Sequence, residues 1–247
     1  PFDGDGGYDI YIESYQAGVY GFNTHESQGK SYLKIDNDYT GFDTKFNLTP
    51  LQIMQISVAH EYFHAIQRGY RYNYPSSDTY FLEMTAMWFE DVILPDINDY
   101  LDGWSDKLIN YPRADYGTSG PGYELALFGH YLSSYVDKNG RVNNKNSKII
   151  REIWERYSIS TNNAFSSLKY ILETNYGITF ISAWVDFMAK NLYNGIYENM
   201  DNSFYYYGDQ AIIEPIITNS IILNDSVNFS LSLDNKSIDV KSFKIDS

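Results

Sequence analysis

Thr49-Pro50-Leu51-Gln52-Ile53-Met54-Gln55-Ile56-Ser57-Val58-Ala59-His60-Glu61-Tyr62-Phe63-His64-Ala65-Ile66-Gln67-Arg68-Gly69 is the stretch from which the rest of the chain is read. Thr49 is a natural N-cap, and Pro50 suits the first helical position, where a missing N–H costs nothing. Gln52 falls where a capping-box partner reaches back. Three independent signals start a helix at about 50, and Gly69 predicts its end at about 68. Inside it, His60 and His64 lie on one helical face, with Glu61 beside the first. That H-E-x-x-H spacing lets both imidazoles reach one metal ion while the carboxylate is held next to a water that the ion activates. A blander reading makes the histidines satisfied core residues and Glu61 a buried acceptor. The placement of the motif on an independently capped helix weighs against it.

Working outward, the first 48 residues read as extended structure. Tyr8-Asp9-Ile10-Tyr11-Ile12 and Ser31-Tyr32-Leu33-Lys34-Ile35-Asp36 alternate in polarity between Gly, Asp and Asn punctuation, so a small sheet is expected. A second helix is predicted from Tyr80 to Leu94, capped by Ser77 or Asp78 and ended by Pro95. Asp96 to Gly122 reads as a long surface loop, of the kind that often borders a site. Helical patterns return at about 122–136, 147–157, 162–175 and 179–193, with Gly140 and Gly177 as stops. After about 203 the pattern turns strand-like, in Asn219 to Leu223 and Val227 to Leu233. The expected fold class is α+β, with a sheet over about 1–48, a mainly helical part over about 50–203 and a β-rich segment over 204–247.

The chain has 247 residues, 43% apolar and 20% charged, enough for one large domain with a sizeable core. Lys and Arg number 18 against 32 Asp and Glu, a net charge of −14 that repels phosphate backbones and anionic membrane surfaces. Nucleic acid is therefore not an expected partner, and long-range attraction favours basic substrates. The absence of cysteine excludes Cys-rich zinc folds, Fe–S clusters, thiol catalysis and disulfide scaffolds. No apolar run is long enough to predict membrane insertion. A start at Pro1 without Met, together with 25 Tyr and 14 Phe, reads as a trimmed piece of a secreted or cell-surface product.

Glu83 lies 19 residues past His64, within Glu83-Met84-Thr85-Ala86-Met87-Trp88-Phe89-Glu90-Asp91. The chain here resembles gluzincin metallopeptidases, in which H-E-x-x-H is followed by Glu-x-x-Ala on the next helix. It looks most like a poorly characterised group of exported metalloproteases. Their helices read AHE-x-x-HA-x-Q, ME-x-TA-x-W-x-ED and Y-x-x-x-x-F-x-x-YL, matched by Ala59 to Gln67, Glu83 to Asp91 and Tyr123 to Leu132. The likeness is strongest over about 55–135. It departs at Leu82, where the group has Met, and it lacks the Gly-x-Met-Glu-Asn segment with which aminopeptidase-N-like enzymes hold a free amino terminus. The metzincin pattern is excluded, since Gln67 and Tyr70 stand where its Gly and third His would be.

The resemblance implies a zincin-like fold, one catalytic Zn2+ held by His60, His64 and Glu83, Glu61 as general base, and a peptide or protein substrate cleaved as by an endopeptidase. Glu90 is an alternative third ligand, with a supporting acceptor role the better reading. The oxyanion needs a donor, and gluzincins take a Tyr or His from a later element. Tyr123 and His130 are the candidates, seven residues apart on a predicted helical face, with Tyr123 favoured by the motif and Tyr116 behind them. His25 stands alone. Asp3-Gly4-Asp5-Gly6 and Asp36-Asn37-Asp38-Tyr39-Thr40-Gly41 look like Ca2+ loops, but Asn47 stands where an EF-hand needs Glu, and turn chemistry explains them better. Two other readings use the same residues: a cell-surface binding module that keeps the fold without turnover, and a structural zinc closed by His130 as a fourth ligand.

Overall fold

The computed structural model describes residues 7–16, 18–26, 30–42, 44, 46–102, 108, 122–138, 146–159, 161–197, 202–216, 219–223 and 241–245. Three short strands come first: β1 (Ile10–Glu13), β2 (Gly21–His25) and β3 (Ser31–Asp36). Their order is β1-β3-β2, with β1 parallel and β2 antiparallel to β3. β2 is therefore an edge. Its sequence, Gly-Phe-Asn-Thr-His, carries one large apolar side chain, so the alternation that announces β1 and β3 is silent there. Glycine is required at its start, because a Cβ on Gly21 would sit 2.7 Å from the Lys34 carbonyl oxygen.

Helix α1 (Pro50–Tyr70) begins as the sequence predicts. The Gln52 amide donates to Thr49 Oγ1 at 3.3 Å and the Thr49 amide donates to Gln52 Oε1 at 2.9 Å, a complete capping box. Gly69 does not stop it. The glycine stays inside the helix on the exposed side, where its cost is only about 1 kcal/mol relative to Ala, and the chain leaves the helix at Arg71. Helix α2 (Thr79–Ile93) has Asp78 at its N-cap, but that carboxylate makes no bond within its own helix. Asp78 Oδ2 instead accepts the Ala164 amide at 3.0 Å, tying α2 to the start of a later helix.

A 3-10 turn at Tyr123–Leu125 leads into α3 (Ala126–Tyr131), which runs on through a π turn at Leu132–Val136. Helices α4 (Ile149–Tyr157), α5 (Ala164–Asn175) and α6 (Phe180–Lys190) follow. The fold is thus α+β, mostly helical, with a small three-stranded sheet. β4 (Asn219–Leu223) and β5 (Lys241–Ile245) form a separate parallel pair. The predicted strand at Val227 to Leu233 and the stop at Gly140 lie outside the described residues.

α1 lies between two apolar clusters. Toward the sheet, Ile53 packs with Ile35 and Tyr39; toward the helices, Phe63 joins a large core built on α2 to α6. α2 is buried nearly all round, and its Phe81 packs on Trp154 at 4.9 Å between ring centroids. The segment 204–216, expected to begin the β-rich tail, belongs to this core instead. It folds as 3-10 turns, and Tyr206, Tyr207, Ile213 and Ile216 are buried in the core. Among the described residues no helix is long and apolar enough to cross a membrane.

Replacing Thr49 by Ala removes the side-chain half of the capping box. Urea unfolding of Thr49→Ala should show a loss of about 1 kcal/mol against the parent, with an unchanged m-value.

Candidate metal centre

α1 and α2 cross so that His60, His64 and Glu83 meet. His60 Nε2 and His64 Nε2 are 3.1 Å apart, and Glu83 Oε2 is 3.2 Å from the first and 3.4 Å from the second. Each of the three side chains is about 15% exposed, between 13% and 16%, so the triangle is shielded yet reachable.

The outer ring nitrogens fix the tautomers. Gln67 Nε2 donates to the Leu82 carbonyl at 2.9 Å and to Thr85 Oγ1 at 3.0 Å, which leaves Gln67 Oε1 as an acceptor. His64 Nδ1, 2.8 Å from that oxygen, must then carry the proton and donate it. On the other ring His60 Nδ1 donates to Glu90 Oε1 at 2.5 Å. In the neutral tautomers both Nε2 atoms then present lone pairs, facing each other and a carboxylate oxygen, so that a proton or a cation is needed between them. Such an arrangement demands positive charge at its centre. Burial opposes charge on His60, yet the hydrogen bonds to Glu83 and Glu90 and the fields of Glu90 and Glu61 hold its pKa well above the usual imidazole value. Burial likewise opposes the Glu83 carboxylate, but the two histidines pull its pKa down to about 2. Among the described residues this is the one group in which three His, Asp or Glu donors come within 4.8 Å of one another. These three residues could hold one divalent cation.

Two hollows flank the triangle and share His60, Glu61, Tyr123 and, on β2, Gly21 and Phe22. The larger, about 490 Å³, extends toward Tyr20, Phe42 and Asp99. The smaller, about 300 Å³, extends toward Arg68 and Tyr74. Glu61 and Tyr123 are thus brought to the triangle from α1 and from the turn before α3. The Tyr123 ring centroid is 6.1 Å from that of His60. Gly122 allows this placement: its φ is +100°, and a Cβ there would lie 2.4 Å from the Tyr80 carbonyl oxygen, so the turn can lie directly against the first turn of α2.

His130 is not brought to the triangle. Tyr123 sits in the 3-10 turn and His130 in α3, so the shared helical face expected of them is broken. His130 is fully buried, stacked on Tyr207 at 4.1 Å between centroids, with its Nε2 3.5 Å from Asp91 Oδ2. It can therefore serve neither as oxyanion donor nor as a fourth ligand here. Glu90, the alternative third ligand, holds the outer nitrogen of His60 instead. His25 is exposed on β2 against Tyr72, and Tyr116 and Asp3 to Gly6 lie outside the described residues. The Asp36 to Gly41 stretch is a turn: Asp36 accepts the amides of Tyr15 at 2.9 Å and Tyr39 at 2.7 Å, and these backbone bonds lower its pKa.

Sequence reasoning passed over Gln67, Gly122 and Asp99. Gln67 had a usable signal, since it lies one helical turn beyond His64 on the same face. Gly122 and Asp99 had none, because only the tertiary fold gives them neighbours. Compared with protein-family models, curated proteins and solved structures, the chain matches none.

The Asp91 and His130 pair gives a pH signature. Burial pushes Asp91 up to about 8 and His130 down to about 3, so both are neutral at pH 7. A carboxyl raised in the fold loses its stabilising contribution as pH rises from its unfolded value of about 3.9, and a depressed histidine loses its own as pH falls below about 6.5. The two slopes oppose each other between those values, and above about 6.5 only the carboxyl slope remains. Thermal unfolding should therefore show a midpoint that falls from pH 6.5 to 8, joined up to about pH 7 by Asp99, which burial and then Glu90 and Asp102 also raise, to about 7. Asp91→Asn should flatten the fall above pH 7.

Proposed function

We propose that the chain is a zinc-dependent peptidase of gluzincin type, on a zincin-like fold, that cleaves within peptide chains. One observation carries this reading: the 3.1, 3.2 and 3.4 Å sides of the His60, His64 and Glu83 triangle. Zinc bound tetrahedrally at about 2.0–2.2 Å has its ligands about 3.3–3.6 Å apart, so three protein donors already stand near one face of that tetrahedron. Two imidazoles with one carboxylate is also the donor set of a catalytic site, which leaves a fourth position open.

A zinc ion bound there would supply a Lewis acid that polarises a carbonyl and brings the pKa of water toward about 7. The residues of the chain do the rest. Glu61 accepts a proton from the attacking water and returns it to the leaving nitrogen. Tyr123 donates a hydrogen bond to the developing oxyanion. Burial, then the charges of Glu83, Glu61 and Glu90, push its pKa above the ordinary tyrosine range, so it stays protonated and a donor at neutral pH. Glu90 and Gln67 keep the two imidazoles in one tautomer and one orientation.

The outer edge of β2, unpaired among the described strands, supports a peptide as the substrate. Its Gly21 and Phe22 line both hollows, so an extended chain adding to that edge passes over the triangle with room on either side. Space on both sides favours cleavage inside a chain over removal of an end residue.

Purified protein should hold one zinc per chain and hydrolyse a fluorogenic peptide library. Glu61→Gln should keep the metal and lose about 10²–10⁴-fold in kcat. Retained cleavage in that variant would exclude Glu61 as the base, and a metal-free wild type that cannot be loaded would overturn the proposal. Glu90→Gln should weaken zinc about 10–100-fold in a chelator competition, because the carboxylate that orients His60 and raises its basicity is lost.

A further inference from the structure

We propose that the larger hollow is a pocket for a lysine or arginine side chain of the substrate, built on Asp99, with Asp102 on its wall. The proposal rests on the peptidase reading for the source of that side chain, and on the pocket alone for its chemistry.

The described residues that line this hollow include the carboxylates of Glu61, Glu90, Asp99 and Asp102, with no lysine or arginine among them. Glu90 is engaged by His60. Asp99 is different. It is 6% exposed, it lines the hollow, and its Oδ1 has no hydrogen-bond partner among the described residues. A buried carboxylate oxygen without a donor is costly and calls for one. The local backbone does not need the side chain, since the turn at Asp99–Leu101 is closed by the Asp102 amide donating to the Asp99 carbonyl at 2.7 Å. The Tyr20 hydroxyl sits beside this carboxylate. It hydrogen-bonds Asp99, and burial, then Asp99, Asp102 and Glu90, push its pKa above the ordinary range, so it stays protonated.

The missing partner is an organic cation. No three carboxylate or imidazole donors in this hollow come within the 4.8 Å spacing that marks the His60, His64 and Glu83 triangle, so a second metal ion is not what the described groups are built to hold. The walls instead suit a flat or alkyl-stemmed cation. Tyr20 and Phe42 stand 4.8 Å apart between ring centroids, with Met87 also lining the space. Aromatic faces attract a guanidinium or ammonium, and the apolar lining covers its methylenes. On the opposite side of the triangle Arg68 donates, among the described residues, to uncharged partners, Asn23 Oδ1 at 3.3 Å and the Tyr74 hydroxyl at 3.4 Å. The larger hollow is thus the more acidic of the two, since the smaller sets Arg68 beside Glu61 and Glu83, and this difference gives a bound chain a preferred direction.

Two measurements test the pocket. In the first, zinc-loaded protein is given peptide pairs that differ at one position near the cleaved bond, Arg or Lys against Gln or Glu. The expected kcat/KM ratio of Arg to Gln is at least about tenfold, and Asp99→Asn should bring it close to one. In the second, benzamidine and its uncharged analogue benzamide are titrated by calorimetry into wild type, Asp99→Asn and Asp102→Asn. Benzamidine should bind wild type at least about tenfold more tightly than benzamide, with the difference reduced in both variants. Cleavage without a basic preference would overturn the pocket and leave the peptidase standing. Selective benzamidine binding without cleavage of any peptide would support the pocket and sink the peptidase. Equal binding of the two probes to wild type would overturn the pocket whatever the peptides show. If Asp99→Asn does not fold, Asp102→Asn and the wild-type ratios decide.

Discussion

Three donor atoms of His60, His64 and Glu83 brought within 3.1 to 3.4 Å of one another are the constraint that organises this molecule. Donors on two different helices meet this closely only if the elements that carry them are held in register. α1 supplies two through the four-residue spacing of one helical face, and α2 supplies the third only if it crosses α1 in a fixed register. That register comes from the core. α2 is buried on almost every side, and Phe63 of α1 stacks on Phe89 of α2 at 4.6 Å. Gln67 locks the same contact in polar terms, since one side chain bonds His64 from α1 and both Leu82 and Thr85 of α2. The bond that orients the imidazole is the bond that sets the helix crossing.

Burying α2 this completely means burying its acids. Each buried carboxylate costs several kcal/mol unless it is paired or neutral, and the chain meets that cost differently at each one. Glu90 is matched by His60. Asp91 takes the Tyr207 hydroxyl and stays protonated to about pH 8. Asp78 captures an amide from α5. Asp91 Oδ1 and, just beyond α2, Asp99 Oδ1 have no hydrogen-bond partner among the described residues, and of these two acids it is Asp99 that lines the open hollow.

Much of this was legible in the sequence, for reasons of range. The start of α1 depends on Thr49, Pro50 and Gln52, four consecutive positions long, so local chemistry settles it. The two histidines and Glu61 follow from helical geometry alone. Glu83 needed a resemblance, because nothing local marks one glutamate of a buried helix as facing another helix. Tyr123 and His130 show the limit. A seven-residue spacing predicts a shared face only if the helix is continuous, and here a 3-10 turn gives way to α3 between them, so one residue goes to the cleft and the other to the core. β2 was illegible because its role is that of an edge, with few apolar side chains to bury. Residues 204–216 misled by apolar content, which marks burial in a turn as readily as in a strand.

The same division of labour bears on how the site relates to folding. In small zinc modules the metal contributes the folding energy outright, because no core exists without it. Here the ligands are carried by helices that a large aromatic and aliphatic core already fixes. His60 and His64 also have their outer nitrogens held by Glu90 and Gln67 before any ion arrives. A cation entering such a site would pay little to order the three side chains. The packing of the helices brings the three donor atoms together, and their shared negative field is what makes the centre of the triangle a place for positive charge.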